Sequence, residues 1–152
     1  VTQTLQRTAP ITTDKLLIEA NLAVVAERAP DVVARFYANL FAGHPELQSL
    51  FGRRSQVAQE KMLLEAIVAV VEHMDDATWL TTVLRPLGAT HVGYGVSDAM
   101  YPIVASTLLA TLAEISAETW TSELAGAWGR ALGAVATEMI TGAHAAIAEG
   151  AR

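Results

Sequence analysis

His91 closes an apolar stripe. Leu80, Leu84, Leu87 and His91 recur at intervals of four, three and four, so they share one face of a helix. Gly93 and Gly95 break that helix directly afterwards. A histidine so placed has two readings. By spacing alone it is more often a core histidine whose ring nitrogens are satisfied by backbone groups. The sharper reading is a metal ligand: neutral imidazole is a good donor to iron, and an inward position keeps it from water. A carbonyl or carboxylate then has to orient the ring through its other nitrogen. Tyr37 lies on a second stripe with Val33, Leu40 and Phe41. An inward phenol is either a core residue whose hydroxyl finds a partner or a donor to a bound ligand. Gln59 heads the stripe Gln59, Leu63, Ile67, four apart each time. It is a surface residue at a helix start or a second polar group aimed into a pocket. Phe51, before Gly52, either packs under a loop or covers a large flat ligand. His44, His73 and His144 read as solvated, and no HxxxH or HExxH metal spacing occurs. No GxSxG, P-loop, GxGxxG or paired-carboxylate arrangement competes with these candidates.

The elements that must position these residues are helical. Alanine and leucine are abundant, and the β-branched and aromatic alternation of strands is absent. Residues 1–12 read as a loose extension before a domain at 13–152. Thr13-Asp14 caps a first helix with apolar Leu17, Leu22, Val24 and Val25. Pro30-Asp31 fits the first turn of a second, and a short turn of helix follows at 45–50. A long helix is expected at about 56–72, with Leu63, Ile67, Val70 and Val71 inward. Asp75-Asp76 caps the helix that carries His91. Ser97-Asp98 opens an apolar helix that ends near Ile115. Ser116-Ala117-Glu118 leads into a last helix of roughly 30 residues with Trp120, Leu124, Trp128, Leu132, Val135 and Met139 inward. Gly129 and Gly133 are placed to let another helix cross closely. The fold class is all-α, and the pattern alone fits a bundle, a globin or a helical regulatory domain.

Bulk properties exclude several chemistries. The 152 residues suit one domain with a sizeable core, and 52% apolar against 17% charged residues excludes a disordered chain. A net charge of −6, with Arg53-Arg54 as the sole adjacent basic pair, argues against a nucleic-acid or anionic-membrane partner. There is no cysteine, which removes disulfides, zinc–thiolate sites, iron–sulfur clusters and covalent CxxCH cofactor attachment. That usage fits a cytoplasmic location. Residues 1–12 lack the apolar core of a signal peptide. The longest charge-free run, Ala99 to Ala113, falls short of the roughly 20 residues that span a bilayer and reads as a buried helix.

Taken together, the segments resemble the bacterial haemoglobin and flavohaemoglobin family. Phe36-Tyr37-Ala38-Asn39-Leu40-Phe41, then His44-Pro45-Glu46-Leu47 and Leu50-Phe51, resemble its FYxxLFxxHPELxxLF signature. The stretch from Leu87 through His91 and Tyr94 to Val96 resembles the one that carries its proximal histidine. Tyr101-Pro102-Ile103-Val104 with Leu108-Leu109, and Ala127-Trp128-Gly129, match two further blocks, in the family's order, over about residues 13–148. The resemblance implies a three-over-three globin sandwich around non-covalent haem b. His91 would ligate the iron, and Phe51 would pack on the haem face. Tyr37 and Gln59 would be the distal pair that donates to bound oxygen. Leu63, Ile67, Leu87, Val96, Val104 and Leu108 would line the apolar pocket.

Two departures from that family shape the expected function. A tyrosine and a last-helix glutamate form a hydrogen-bonded set with the histidine in flavohaemoglobins. The tyrosine position matches Tyr101, but the glutamate position falls on Ala143, and Glu138 lies more than a turn away. His91 is therefore expected to donate to a backbone carbonyl, that of Leu87, instead. The chain also carries no FAD or NAD(P)H reductase segment. The leading expectation is reversible binding of O2 and other diatomic ligands such as CO and NO, for transport or storage. The alternatives are a nitric oxide dioxygenase dependent on an external reductase, a gas sensor, and a haem-free interaction module. A homodimer stays open, since related globins can be dimers.

Overall fold

A computed structural model describes the backbone of residues 2–51 and 55–150, and the side chains among these from residue 13 onward. Among the described residues six α-helices follow in order: α1 Thr2–Arg28, α2 Val32–Gly43, α3 Gln56–His73, α4 Ala77–Gly93, α5 Met100–Ser116 and α6 Ser122–Gly150. A 3₁₀ turn at Pro45–Phe51 joins α2 to α3, and another at Ala117–Thr119 joins α5 to α6. No strand occurs among the described residues.

Local chemistry sets most boundaries. Ser55 caps α3 by accepting from the Ala58 amide at 3.2 Å, and Asp76 caps α4 by accepting from Trp79 at 3.0 Å. Gly95, at φ 89°, ends the turn after α4 in a conformation that suits glycine. Thr121 accepts from Leu124 at 3.1 Å and starts α6, four residues later than the sequence suggests, because Ala117–Thr119 forms a tighter turn first. The expected start of α1 at Thr13-Asp14 is corrected: the helix runs through residue 12 without a break. Asp14 does not cap it. Its carboxylate takes a two-pronged bond from Arg130 of α6, at 2.8 and 2.9 Å.

The helices form two layers. α3 touches α1 and α4 within one layer, and α5 touches α2 and α6 within the other. The layers meet through α4 on α6, α1 on α5 and α6, and α2 on α3. The shared core holds Ile18, Val25, Phe36, Leu40, Leu112 and Trp128. At its centre a polar cross-tie joins three helices. Asn21 donates to Ser116 Oγ at 2.8 Å and accepts from Trp128 Nε1 at 3.0 Å, with all three residues buried.

The closest crossing is α4 over α6, and it does not use Gly129 or Gly133, which have open space around them. Gly88 and Gly142 serve instead. A Cβ on Gly88 would lie 1.9 Å from the Met139 carbonyl oxygen, and one on Gly142 would lie 1.9 Å from that of Arg85. The two backbones touch because neither glycine has a side chain to hold them apart. Met100–Thr119 and Ser122–Gly150 are long and apolar enough to cross a bilayer by length and composition alone, which corrects the shorter estimate from Ala99–Ala113. In this fold they supply core residues to one layer, among them Leu108, Leu112, Ile115, Leu124 and Met139.

Candidate functional site

The residues singled out from the sequence stand in two groups, one on α2 and α3 and one on α4. The first is built around Tyr37. The helical period turns Val33, Phe36, Tyr37 and Leu40 of α2 inward together. The 3₁₀ turn, anchored by buried Leu47, brings Phe51 edge-on to the Tyr37 ring at 5.5 Å and to Phe41 at 5.6 Å. Tyr37 and Phe41 stack at 5.7 Å. The result is an aromatic wall with a single phenol in it. Burial, and then the nearby Glu60 carboxylate, push the Tyr37 phenol up to about 12. Tyr37 therefore stays a neutral O–H donor through the whole physiological range.

α3 supplies the polar edge of this group. Gln59 stands half-buried in its first turn, next to Glu60, whose carboxylate accepts from Gln56 at 3.1 Å. Glu60 was not among the residues singled out by sequence, yet it is the charge that Tyr37 senses. Its place at i+1 from Gln59, on a helix that faces α2, was the available signal. Leu63 and Ile67, one and two turns on, wall a small apolar cavity together with Leu108 of α5.

The second group is built around His91. Its Nδ1 donates to the Leu87 carbonyl at 2.8 Å, as expected from the missing carboxylate. Since the carbonyl can only accept, the proton sits on Nδ1 and the Nε2 lone pair is left for a metal. The amides of Tyr94 and Val96 both donate to the His91 carbonyl at 3.1 Å, so the helix end wraps around this residue. The Tyr94 ring meets the imidazole edge-on at 6.1 Å. The i+3 spacing places Tyr94 beside His91, a ring contact the sequence reading named no role for. The expected continuous buried stripe is corrected in part: Leu84 is buried, but Leu87 is 37% exposed and His91 is half-buried. Gly88, between them, lies against Met139 of α6. Val96 and Val104 are half-buried.

Tyr101 stands half-buried in the first turn of α5. Its hydroxyl is buried and has no hydrogen-bond partner among the described residues. Burial first, and Asp98 second, raise its pKa. Ala143 is buried and offers no acceptor, and Glu138 is held by Arg85 at 2.7 Å. The remaining histidines are not simply solvated. His144 pairs with Asp98 at 2.5 Å, His44 lies 3.3 Å from Glu46, and His73 stacks on Trp79 at 4.1 Å. No cluster of three or more metal-ligating side chains occurs among the described residues.

No hydrogen bond or ring contact joins the two groups among the described residues; they stand on neighbouring helices, α3 and α4, that pack against each other. The donor set suits one cofactor type. A single neutral imidazole with a free Nε2, and partly exposed apolar surface at Leu87 and Tyr94, fit a flat apolar macrocycle whose own atoms supply the other metal ligands.

Comparison with known proteins agrees with this geometry. The family model described as Globin matches residues 34–139. The chain is 34% identical to the flavohemoprotein of Bordetella pertussis over 128 residues, which is 83% of this chain and 32% of that protein. It is 31% identical to the flavohemoprotein of Rhizobium meliloti over 124 residues, 80% of this chain and 31% of that one. The chain thus spans about a third of the length of these relatives. Among solved structures, an engineered carbene transferase from Rhodothermus marinus superposes with TM-score 0.78 at 24% identity, covering 91% of this chain and 96% of the other. A bacterial globin from Campylobacter jejuni gives 0.73 at 23% identity, covering 88% and 96%.

Proposed function

This chain belongs to the globin family, and from its site we propose that it is a haem b protein that binds O2 reversibly, as a carrier or store. Haem, when bound, supplies the ferrous iron that takes a diatomic gas. Everything else falls to side chains. His91 offers Nε2 to the iron, with its orientation fixed by the 2.8 Å bond to the Leu87 carbonyl. Tyr37 keeps its proton and donates it toward the gas, and Gln59 adds a second donor. Phe51 packs on the macrocycle, and Leu63, Ile67, Val96, Val104 and Leu108 exclude water from the apolar pocket.

The observation that carries the carrier reading is the partner of His91. A neutral carbonyl leaves the imidazole neutral, whereas a carboxylate would draw its proton away and make it a stronger electron donor. A weakly donating anchor favours holding a gas over breaking it apart. The second reading is nitric oxide dioxygenase activity with electrons from an external reductase. It is favoured by the similarity to flavohemoproteins, whose length this chain covers only in part.

Purified protein is expected to be red, with an intense Soret band in the ferrous CO form. His91→Ala should lose that ligation pattern and recover it with added imidazole. Unchanged ligation in His91→Ala would overturn the assignment. Nitrate formation from NO with an added flavodoxin reductase, compared with the rate of O2 dissociation, separates enzyme from carrier.

A further inference from the structure

α3 carries more exposed large apolar residues than any other described helix, and three of them fall on one line. Val57 is 76% exposed, Leu64 47% and Val68 42%. Their intervals of seven and four, with Lys61 between the first two, put all four residues on a stripe roughly 16 Å long, at 1.5 Å per residue. Gln59 and Leu63, assigned above to the haem pocket, stand roughly 100° or more around the helix from this stripe. The helices that pack on α3 leave the three apolar side chains exposed. An outward helix face is ordinarily polar, and an apolar seam with charges beside it marks contact with another chain.

The charges beside the stripe indicate which chain. Lys61 and Glu65 are 75% and 66% exposed and stand 4.0 Å apart as an i,i+4 pair. So long and so exposed a pair is worth little, and either group can exchange its partner. Two copies of α3 laid antiparallel about a twofold axis between residues 62 and 63 put Val57 opposite Val68 of the other copy, twice over. The aliphatic stem of Lys61 then crosses Leu64 of the other copy. Like flanks of antiparallel helices meet, so the Lys61 ammonium comes beside Glu65 of the other copy, and the reverse. A parallel register would set Lys61 against Lys61 and Glu65 against Glu65. The face is complementary to itself in one orientation only.

We propose that the Val57, Lys61, Leu64 and Val68 face of α3 is the docking surface for a second copy of this chain, paired antiparallel. A seam one helix wide from each copy stands at the low end of the roughly 1,200–2,000 Å² that specific pairs bury, so the dimer forms reversibly and at high protein concentration. The proposal does not rest on the oxygen-carrier reading.

The test is sedimentation of the haem-loaded chain from about 10 µM to about 1 mM, where an association of this size is read. The weight-average mass should climb from that of one chain toward that of two. Val57→Glu and Val68→Glu, both at exposed positions, should each weaken association about tenfold or more. Ile147→Glu, at an exposed apolar position on α6, should leave it unchanged. Lys61→Glu should weaken it severalfold, and Lys61→Glu combined with Glu65→Lys should restore it. The chain has no cysteine, so an equimolar mixture of Val57→Cys and Val68→Cys chains reports the orientation: a mixed disulfide should form on oxidation, with neither chain joined to itself. A single-chain mass over the whole range would overturn the second copy as occupant and leave a different protein to cover α3. Association that survives Val57→Glu and Val68→Glu would move the interface off α3. Self-crosslinking of Val57→Cys chains would overturn the antiparallel order.

Discussion

At the scale of single residues, the distal phenol and the proximal imidazole are the groups with the clearest consequences. Tyr37 is nine-tenths buried and its pKa stands at about 12, against about 10 in an unfolded chain. Between those values the folded chain holds a proton that the unfolded chain has released. Tyr37 thus adds stability that is fully present below about pH 10 and is lost as the pH rises toward 12. A tyrosinate absorbance titration should show a last step near pH 12 that Tyr37→Phe removes. The same substitution takes away a donor to the bound gas. Loss of a hydrogen bond worth about 1.4 kcal/mol should speed O2 release about tenfold, measured by stopped flow. Tyr101 makes the opposite prediction. Its buried hydroxyl has no partner among the described residues, so Tyr101→Phe removes an unpaired polar group. The urea midpoint should stay the same or rise.

At the scale of elements, the position of His91 depends on how α4 lies on α6. The two helices touch backbone to backbone at Gly88 and Gly142. Gly88 sits three residues before His91, so any spacer between the helices moves the imidazole with it. Gly88→Ala would place a Cβ 1.9 Å from a carbonyl oxygen that cannot swing aside. The expected cost is at least the 1–3 kcal/mol typical of overpacking, roughly, read as a lower urea midpoint together with faster haem loss to an acceptor protein. Gly129→Ala on α6 meets open space and should leave both unchanged or slightly improved, since alanine is the better helix former. Equal effects at the two glycines would contradict the crossing. The 3₁₀ turn Pro45–Phe51 plays the matching role on the other side, since Leu47 anchors it and Phe51 is thereby laid against Tyr37.

At the scale of the whole molecule, the two layers are held together by an apolar core and by one buried polar cross-tie. Asn21→Ala would leave the Trp128 indole N–H without its acceptor and Ser116 without its donor. A buried orphan of that kind costs about 1–3 kcal/mol, with a cavity term added. Asn21→Ala combined with Trp128→Phe should cost less than the sum of the two, because the second change removes the orphan that the first creates. Thermal unfolding of the four proteins in that cycle gives the measurement. Much of this architecture was legible in the chain. The period of three to four placed Tyr37 on an inward face, and Asp76 and Gly95 marked element ends, because caps and turns are local chemistry. The partner of His91 was legible too, since an i−4 carbonyl is always within reach of a histidine at a helix end. The crossing glycines were not. Gly88, Gly129, Gly133 and Gly142 are alike in sequence, and only the packing of α4 on α6 decides which of them meets another backbone. Nor could the sequence show that Asp14 would bind Arg130 rather than cap a helix, that Glu60 would lie near Tyr37, or that a small apolar cavity would open behind Leu63. The sequence by itself determined an all-helical chain, because that follows from helical periodicity, while the haem reading of His91 and Tyr37 came from the resemblance of their segments to the bacterial haemoglobin family. The tertiary structure alone decided which distant residues meet, because contacts between helices depend on their angles and separations, and those are set by the packing of the whole core at once.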